Sequence, residues 1–193
     1  MPGEREVRGL LALLLVTDAR RSTRTDASGR LLLLQEQDRS AWDGSAIEEG
    51  HGLVVGALRG PNADRYALQA AIAALHAQAP SHAETDWPQI LVLYDELLKV
   101  WPSPVVALNR AVAVAMVQGP EAALREIEAL EREGRLSGYR YLPATKADLL
   151  RRLGRHAEAA SAYRAALDLT DNDAERAFLL DRLTESSGRT IDA

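Results

Sequence analysis

Leu150-Arg151-Arg152-Leu153-Gly154-Arg155-His156-Ala157-Glu158-Ala159-Ala160-Ser161-Ala162-Tyr163-Arg164-Ala165-Ala166-Leu167 is the stretch whose reading decides the fold. It is built from good helix formers and interrupted once, at Gly154. Two helices joined by a tight break follow. The same layout precedes it: Ala111, Ala123, Ile127 and Leu130 stand 36 residues before Ala147, Ala159, Tyr163 and Ala166. One step earlier, Ile90, Tyr94 and Leu97 stand 33 residues before Ala123, Ile127 and Leu130. Small residues fall where two helices must approach and large ones fall between. A helix pair with one apolar face cannot bury that face alone, so pairs of this kind stack on their neighbours.

Working outward, the breakers Gly60-Pro61, Pro80, Pro102-Ser103-Pro104, Gly119-Pro120, Gly134, Gly138 and Gly154 cut the chain into helix-length pieces. Helices are expected at about 4–17, 43–58, 62–78, 87–100, 104–117, 120–133, 142–153, 156–169 and 173–187. Asp86 before Trp87-Pro88 and Ser103 before Pro104 read as N-caps, with proline in the first turn where its missing N–H costs nothing. Asp173 and Glu175 place negative charge at the start of the last helix. The final unit, from Gly154 through Ala159 to Tyr163 and Ala166, resembles the second helix of a tetratricopeptide (TPR) repeat, and Pro102 matches the proline that closes such repeats.

The expected fold class is all-α: TPR-like stacked helical hairpins forming a right-handed array, with a short β-hairpin or loop insertion near residues 22–34. The 1–193 chain is read as a single domain. Residues 1–60 give N-terminal helices plus the insertion, 61–170 the helical repeats and 171–193 a capping helix and tail. In the insertion, Thr23-Arg24-Thr25, then Asp26-Ala27-Ser28-Gly29, then Arg30 and Leu31 to Leu34 read as strand, turn and strand. A loop with a short helix is the alternative, because leucine is only a modest strand former. The apolar run Leu10 to Val16 reads as a buried helix; it lacks the basic flank and cleavage site of a signal peptide.

Composition narrows the function. The 193 residues contain no cysteine, which excludes disulfides, thiolate nucleophiles and cysteine metal sites, and the missing cysteines are read as cytoplasmic. The net charge is −5, and 21 of 23 basic residues are arginine, Lys99 and Lys146 being the others. With an isoelectric point near 5.4 there is no basic face for phosphates, so direct nucleic-acid contact is not expected. Nor is membrane insertion, since no stretch approaches 18 apolar residues. The four histidines, His51, His76, His82 and His156, show no paired metal-ligand spacing. No nucleophile elbow or phosphate loop is present. The chain therefore reads as neither an enzyme nor a holder of cofactor or metal.

Two polar groups stand out. Asn109-Arg110 interrupt an apolar helix, and a polar pair there costs free energy unless each group finds a partner. Stacked first helices line a concave groove, so Asn109 could bond a peptide backbone and Arg110 a carboxylate. Tyr66, Gln69, His76, Tyr139 and Lys146 would share that surface. Alternatively Asn109 serves an inter-helix contact and Arg110 extends its head to solvent. For His76, with Asp86 close by in sequence, a local hydrogen bond is the expectation and a catalytic pair the alternative. The second group brackets the insertion: Asp18, Arg20 and Arg21 before it, and Asp38, Arg39, Trp42 and Asp43 after it. Arg20 or Arg21 is expected to pair with Asp38 or Asp43 while Trp42 plugs the base. The functional alternative presents these residues to another domain.

The runs Thr17 to Arg21, Gln37 to Asp43, Tyr66 to His76, Thr85 to Ile90 and Pro104 to Ala113 carry a wider resemblance, spanning about Val7 to Leu183. They are similar to the TPR-like C-terminal extension of a group of extracytoplasmic-function (ECF) RNA polymerase sigma factors. That resemblance implies a partner-binding or regulatory domain within a protein of transcription initiation. Its partners would be the sigma factor's own N-terminal domains, RNA polymerase or a regulator protein. No basic helix-turn-helix matches the promoter-reading domains, so Met1-Pro2-Gly3 reads as the start of a fragment or of a truncated gene. A free-standing TPR adaptor remains a rival, as does a small-molecule-binding helical domain with a pocket joining His76, Asn109 and Tyr139.

Overall fold

A computed structural model describes residues 2–27, 29–59 and 63–188, with side chains from Glu4 onward. Among these residues are nine α-helices: α1 (Pro2–Asp18), α2 (Gly44–Leu58), α3 (Arg65–Gln78), α4 (Trp87–Val100), α5 (Pro104–Val117), α6 (Pro120–Glu133), α7 (Tyr141–Arg152), α8 (His156–Asp168) and α9 (Asp173–Gly188). Two single 3-10 turns, Arg21–Thr23 and Arg39–Ala41, lie between α1 and α2. The helical boundaries follow the caps. Asp86 accepts from Gln89 N at 3.0 Å, Ser103 from Val105 N at 3.3 Å and Asp43 from Ala46 N at 3.0 Å. Each satisfies an N–H that has no partner inside its helix.

The chain divides into two compact units, Met1–Ser28 with Leu32–Pro102, and Gly29–Leu31 with Ser103–Ala193. In the second unit each helix packs on the next from α5 to α9, and α5 also meets α7. This is the stacked helical-hairpin arrangement that the 36-residue spacing predicts. Its register is visible in the burial: Ala111, Ala147, Ala123, Ala159, Ile127, Tyr163, Leu130 and Ala166 are all buried. Gly154, at φ +73°, makes the turn between α7 and α8 in the left-handed region that other residues rarely adopt.

In the first unit α1 packs on both α2 and α3, α2 on α3, and α3 on α4. Ala12, Val54, Ala70, Ala71 and Ala74 form its small-residue core. Here a buried α1 is only half right. The face turned inward carries Gly9, Ala12 and Val16, spaced three and four residues apart. A β-carbon at Gly9 would stand 2.6 Å from the Ala67 nitrogen, and one at Gly50 would stand 2.5 Å from a Val16 methyl. Close backbone approach therefore selects the small residues for the interior. The larger Val7, Leu10, Leu11 and Leu14 are left outside, at 64%, 37%, 44% and 59% exposure.

The insertion takes the loop form. Among the described residues it has no strand, only isolated bridge residues at Thr25 and Leu31; a backbone bond, Leu32 N–H to Arg24 O at 2.9 Å, joins its two limbs. Local bonds win over a ladder: Leu33 N–H donates to Glu36 Oε2 and Glu36 N–H to Leu33 O, each at 2.8 Å, which turns the leucine run back on itself. Ser28, within the expected turn, lies outside the described residues, as do Gly60, Pro61 and the last five residues.

Candidate functional site

The ends of the loop meet at a single foot. Asp43 N–H donates to Ala19 O at 3.0 Å, and the buried Trp42 donates through Nε1 to Thr23 Oγ1 at 2.8 Å. Trp42 is 7% exposed and closes the base of the loop. The charges around it are arranged differently from the expected cross-pairing. Arg21 pairs with Asp18 at 2.7 Å, within one turn of chain. Asp43 is committed to capping α2, and Asp38 accepts from Ser40 N at 2.9 Å and Ser40 Oγ at 2.7 Å. Those two bonds hold the Asp38 carboxyl below its ordinary pKa. Short local bonds are reached with less loss of side-chain freedom than bonds across the foot, which is why they form.

Arg20 and Arg39 instead lie over the Trp42 ring, their guanidinium carbons 5.7 Å and 4.7 Å from its centre. Arg39 also reaches α3, donating through Nη1 to His76 O at 2.6 Å and Ala79 O at 2.8 Å. These carbonyls belong to the end of α3, where orphan acceptors favour a cation. Arg24 does the same for α1, donating to Thr17 O at 2.7 Å. Burial, then Arg24 and Arg39, lower the pKa of Arg20.

His76 does not meet Asp86, whose carboxylate caps α4. Its ring packs edge-on against Trp87 at 5.1 Å, with His82 on the same tryptophan at 5.2 Å. His76 Nδ1 is buried without a hydrogen-bond partner among the described residues. Burial, helped by Arg20, His82 and Arg39, pushes its pKa down to about 4, so it is neutral at pH 7. Tyr66 and Gln69 share α3 with His76. Tyr66 Oη accepts from Arg65 at 3.0 Å, and Gln69 Nε2 donates to Arg65 O at 3.0 Å.

The remaining predicted residues lie in the second unit. Asn109 is exposed on α5. Arg110 donates to Glu126 of α6 at 2.7 Å, and Lys146 of α7 donates to Glu131 of α6 at 2.6 Å. Both cations thus have an internal carboxylate. Tyr139 meets Tyr141 edge-on at 5.4 Å. Tyr141 and Arg140 in turn bind Glu175 at the start of α9, with Tyr141 Oη to Glu175 Oε1 at 2.8 Å and Arg140 Nη2 to the same oxygen at 3.0 Å. Nothing in the local sequence signals this tie between the α7 and α9 starts, whose partners are 35 residues apart.

Residues 1–58, which hold α1, the loop foot and α2, match the model of a family described as a family of unknown function, DUF6596. Over 178 residues the chain is 46% identical to Uncharacterized protein R00370 of Rhizobium meliloti (strain 1021). That stretch is 92% of this chain and 42% of the relative, so the chain spans about two fifths of the length of the curated protein it matches. No solved structure matches the chain. Among the described residues no helix is long and apolar enough to cross a membrane.

Proposed function

We propose that this chain is a protein-interaction and regulatory module of an ECF-type RNA polymerase sigma factor, the whole protein acting in transcription initiation. The observation that carries the reading is the open apolar face of α1. Val7, Leu10, Leu11 and Leu14 lie three and four residues apart, so they form one continuous stripe on the solvent side of the helix. A stripe of large aliphatic side chains beside a close-packed small-residue face is the pattern of a helix packed on one side and docked on the other. Two further observations support it. The relative of 46% identity is a much longer protein, and the runs around Asp18, Asp38, Tyr66, Asp86 and Asn109 resemble the C-terminal extension of such sigma factors. The partner that fits is the sigma factor's own preceding domains; polymerase or a regulator would meet the same face in trans.

The test is reconstituted transcription with core RNA polymerase and the longer polypeptide. Replacing Leu11 and Leu14 together by Glu should lower promoter-dependent transcription at least about tenfold, since each buried leucine contributes about 1.5–3 kcal/mol. Circular dichroism of the 193-residue chain should stay unchanged. A folded double variant with undiminished transcription overturns the α1 reading. The companion variant, Asn109→Ala with Arg110→Ala, tests the α5 surface in the same assay.

A further inference from the structure

At the foot of the loop Arg20, Arg24 and Arg39 collect with no carboxylate paired to them among the described residues, since Asp18 is taken by Arg21, Asp38 by Ser40 and Asp43 by the start of α2. Arg24 and Arg39 each spend donors on the C-terminal carbonyls of α1 and α3. Two helix C-termini supply roughly one negative charge between them, about half a charge each. Three guanidiniums face them, so Arg20 is left over. It makes no hydrogen bond or ion pair among the described residues, although it is half-buried against Trp42. Arg39 is only partly spent: its Nη2 is buried and has no partner among the described residues. The groups that act on Arg20 and on His76 are all of one sign, Arg24, Arg39 and His82 among them. Crowding cations in a half-buried place costs free energy.

We propose that Arg20 and Arg39, both over Trp42 at the α1 and α3 ends, form a binding site for an oxyanion, a carboxylate or a phosphate group. The planar guanidiniums offer paired N–H donors, the geometry that such anions accept two at a time. Arg20 supplies an uncommitted set and Arg39 its free Nη2, while Trp42, fixed by its bond to Thr23, holds both in place. The site lies within the first unit and stands independently of the sigma-factor reading. A bound anion would sit beside His76 and reverse the electrostatic pressure on that ring.

The experiment uses the 15N-labelled 193-residue chain at pH 7.5 and low ionic strength, following the Trp42 indole resonance, assigned by Trp42→Phe. It is titrated separately with inorganic phosphate, succinate and, at matched ionic strength, sodium chloride. The expected result is a saturable shift with phosphate, with succinate or with both, and none with chloride; which anion saturates separates a phosphate ligand from a carboxylate. Arg20→Gln should weaken that binding about tenfold or more. The His76 imidazole provides a second measurement in the unaltered chain, should Arg20→Gln fail to fold. Its titration midpoint should rise when the saturating anion is present. No saturation by either anion, equal response to chloride, an unchanged affinity in folded Arg20→Gln, or a His76 midpoint indifferent to the anion overturns the proposal.

Discussion

Gly9 of α1 lies so close to Ala67 of α3 that a methyl group on Gly9 would stand 2.6 Å from the Ala67 nitrogen. The obstacle is backbone and cannot swing aside. In a helix interior Ala is ordinarily better than Gly by about 1 kcal/mol, but forcing a close-packed contact apart costs about 1–3 kcal/mol. Gly9→Ala should therefore destabilise the chain by up to about 2 kcal/mol in chemical denaturation. Gly52 of α2 is exposed and has nothing within 4 Å of the added carbon. Gly52→Ala should raise stability by about 0.5–1 kcal/mol. Shifts of the same sign for both would refute the close-approach account.

The two sides of α1 should respond in opposite fashion to truncation. Val16 is 0% exposed, and Val16→Ala should cost about 2 kcal/mol. Leu14 is 59% exposed, so Leu14→Ser should change stability by less than about 0.5 kcal/mol. Urea denaturation of the two variants checks the pair, and a large loss in Leu14→Ser would show that this face is already packed.

Trp42 and Thr23 should be energetically coupled. Thr23→Val strands a buried indole N–H and should cost about 1–3 kcal/mol. Trp42→Phe removes the donor along with ring area. Because the two variants remove one bond, the double variant should cost less than the sum of the singles by about 1 kcal/mol. Additive losses in a double-mutant cycle would mean that the 2.8 Å bond does not hold the loop foot.

Stability should fall in mildly acidic solution through His76. Its pKa in the fold is about 4, below the ordinary 6.5, so between those values the unfolded chain binds more protons than the folded one. The contribution is complete above pH 6.5 and is lost as pH drops toward 4. The charged and titratable groups that act on the ring are Arg20 at the end of α1, Arg39 on its 3-10 turn and His82 after α3. Allowing for partial exposure, the loss is on the order of 2 kcal/mol. His76→Gln should flatten the slope of denaturation free energy between pH 6.5 and 5, where carboxylates still contribute little. An identical slope in both proteins would place the ring in solvent.

Much of this architecture is legible in residue order, for physical reasons. Ala123, Ile127, Ala159 and Tyr163 announce their helices because stacking demands the same size at the same place in each hairpin, and Asp86 and Ser103 announce helix starts because caps are local. What escapes is non-local. Leu11 and Leu14 look like core by hydropathy, yet the inward face of α1 is decided by how closely α3 approaches Gly9. His76 looks like a neighbour of Asp86 because ten residues separate them, while the arginines that surround it come from a loop more than thirty residues away. Arg20 and Asp38 invite pairing by sign alone, but Ser40 is nearer and a short bond forms first.

The Asp43–Ala19 bond has one more consequence. It clamps the loop where α1 ends and α2 begins, and Leu32 is bonded to Arg24 further out. Doubling the chain length beyond such a clamp adds only about 0.6 kcal/mol of closure entropy. Arg24 and Arg39 must stay, because they bond to the ends of α1 and α3, but the length of chain between them can grow or shrink over evolution while the helices keep their register.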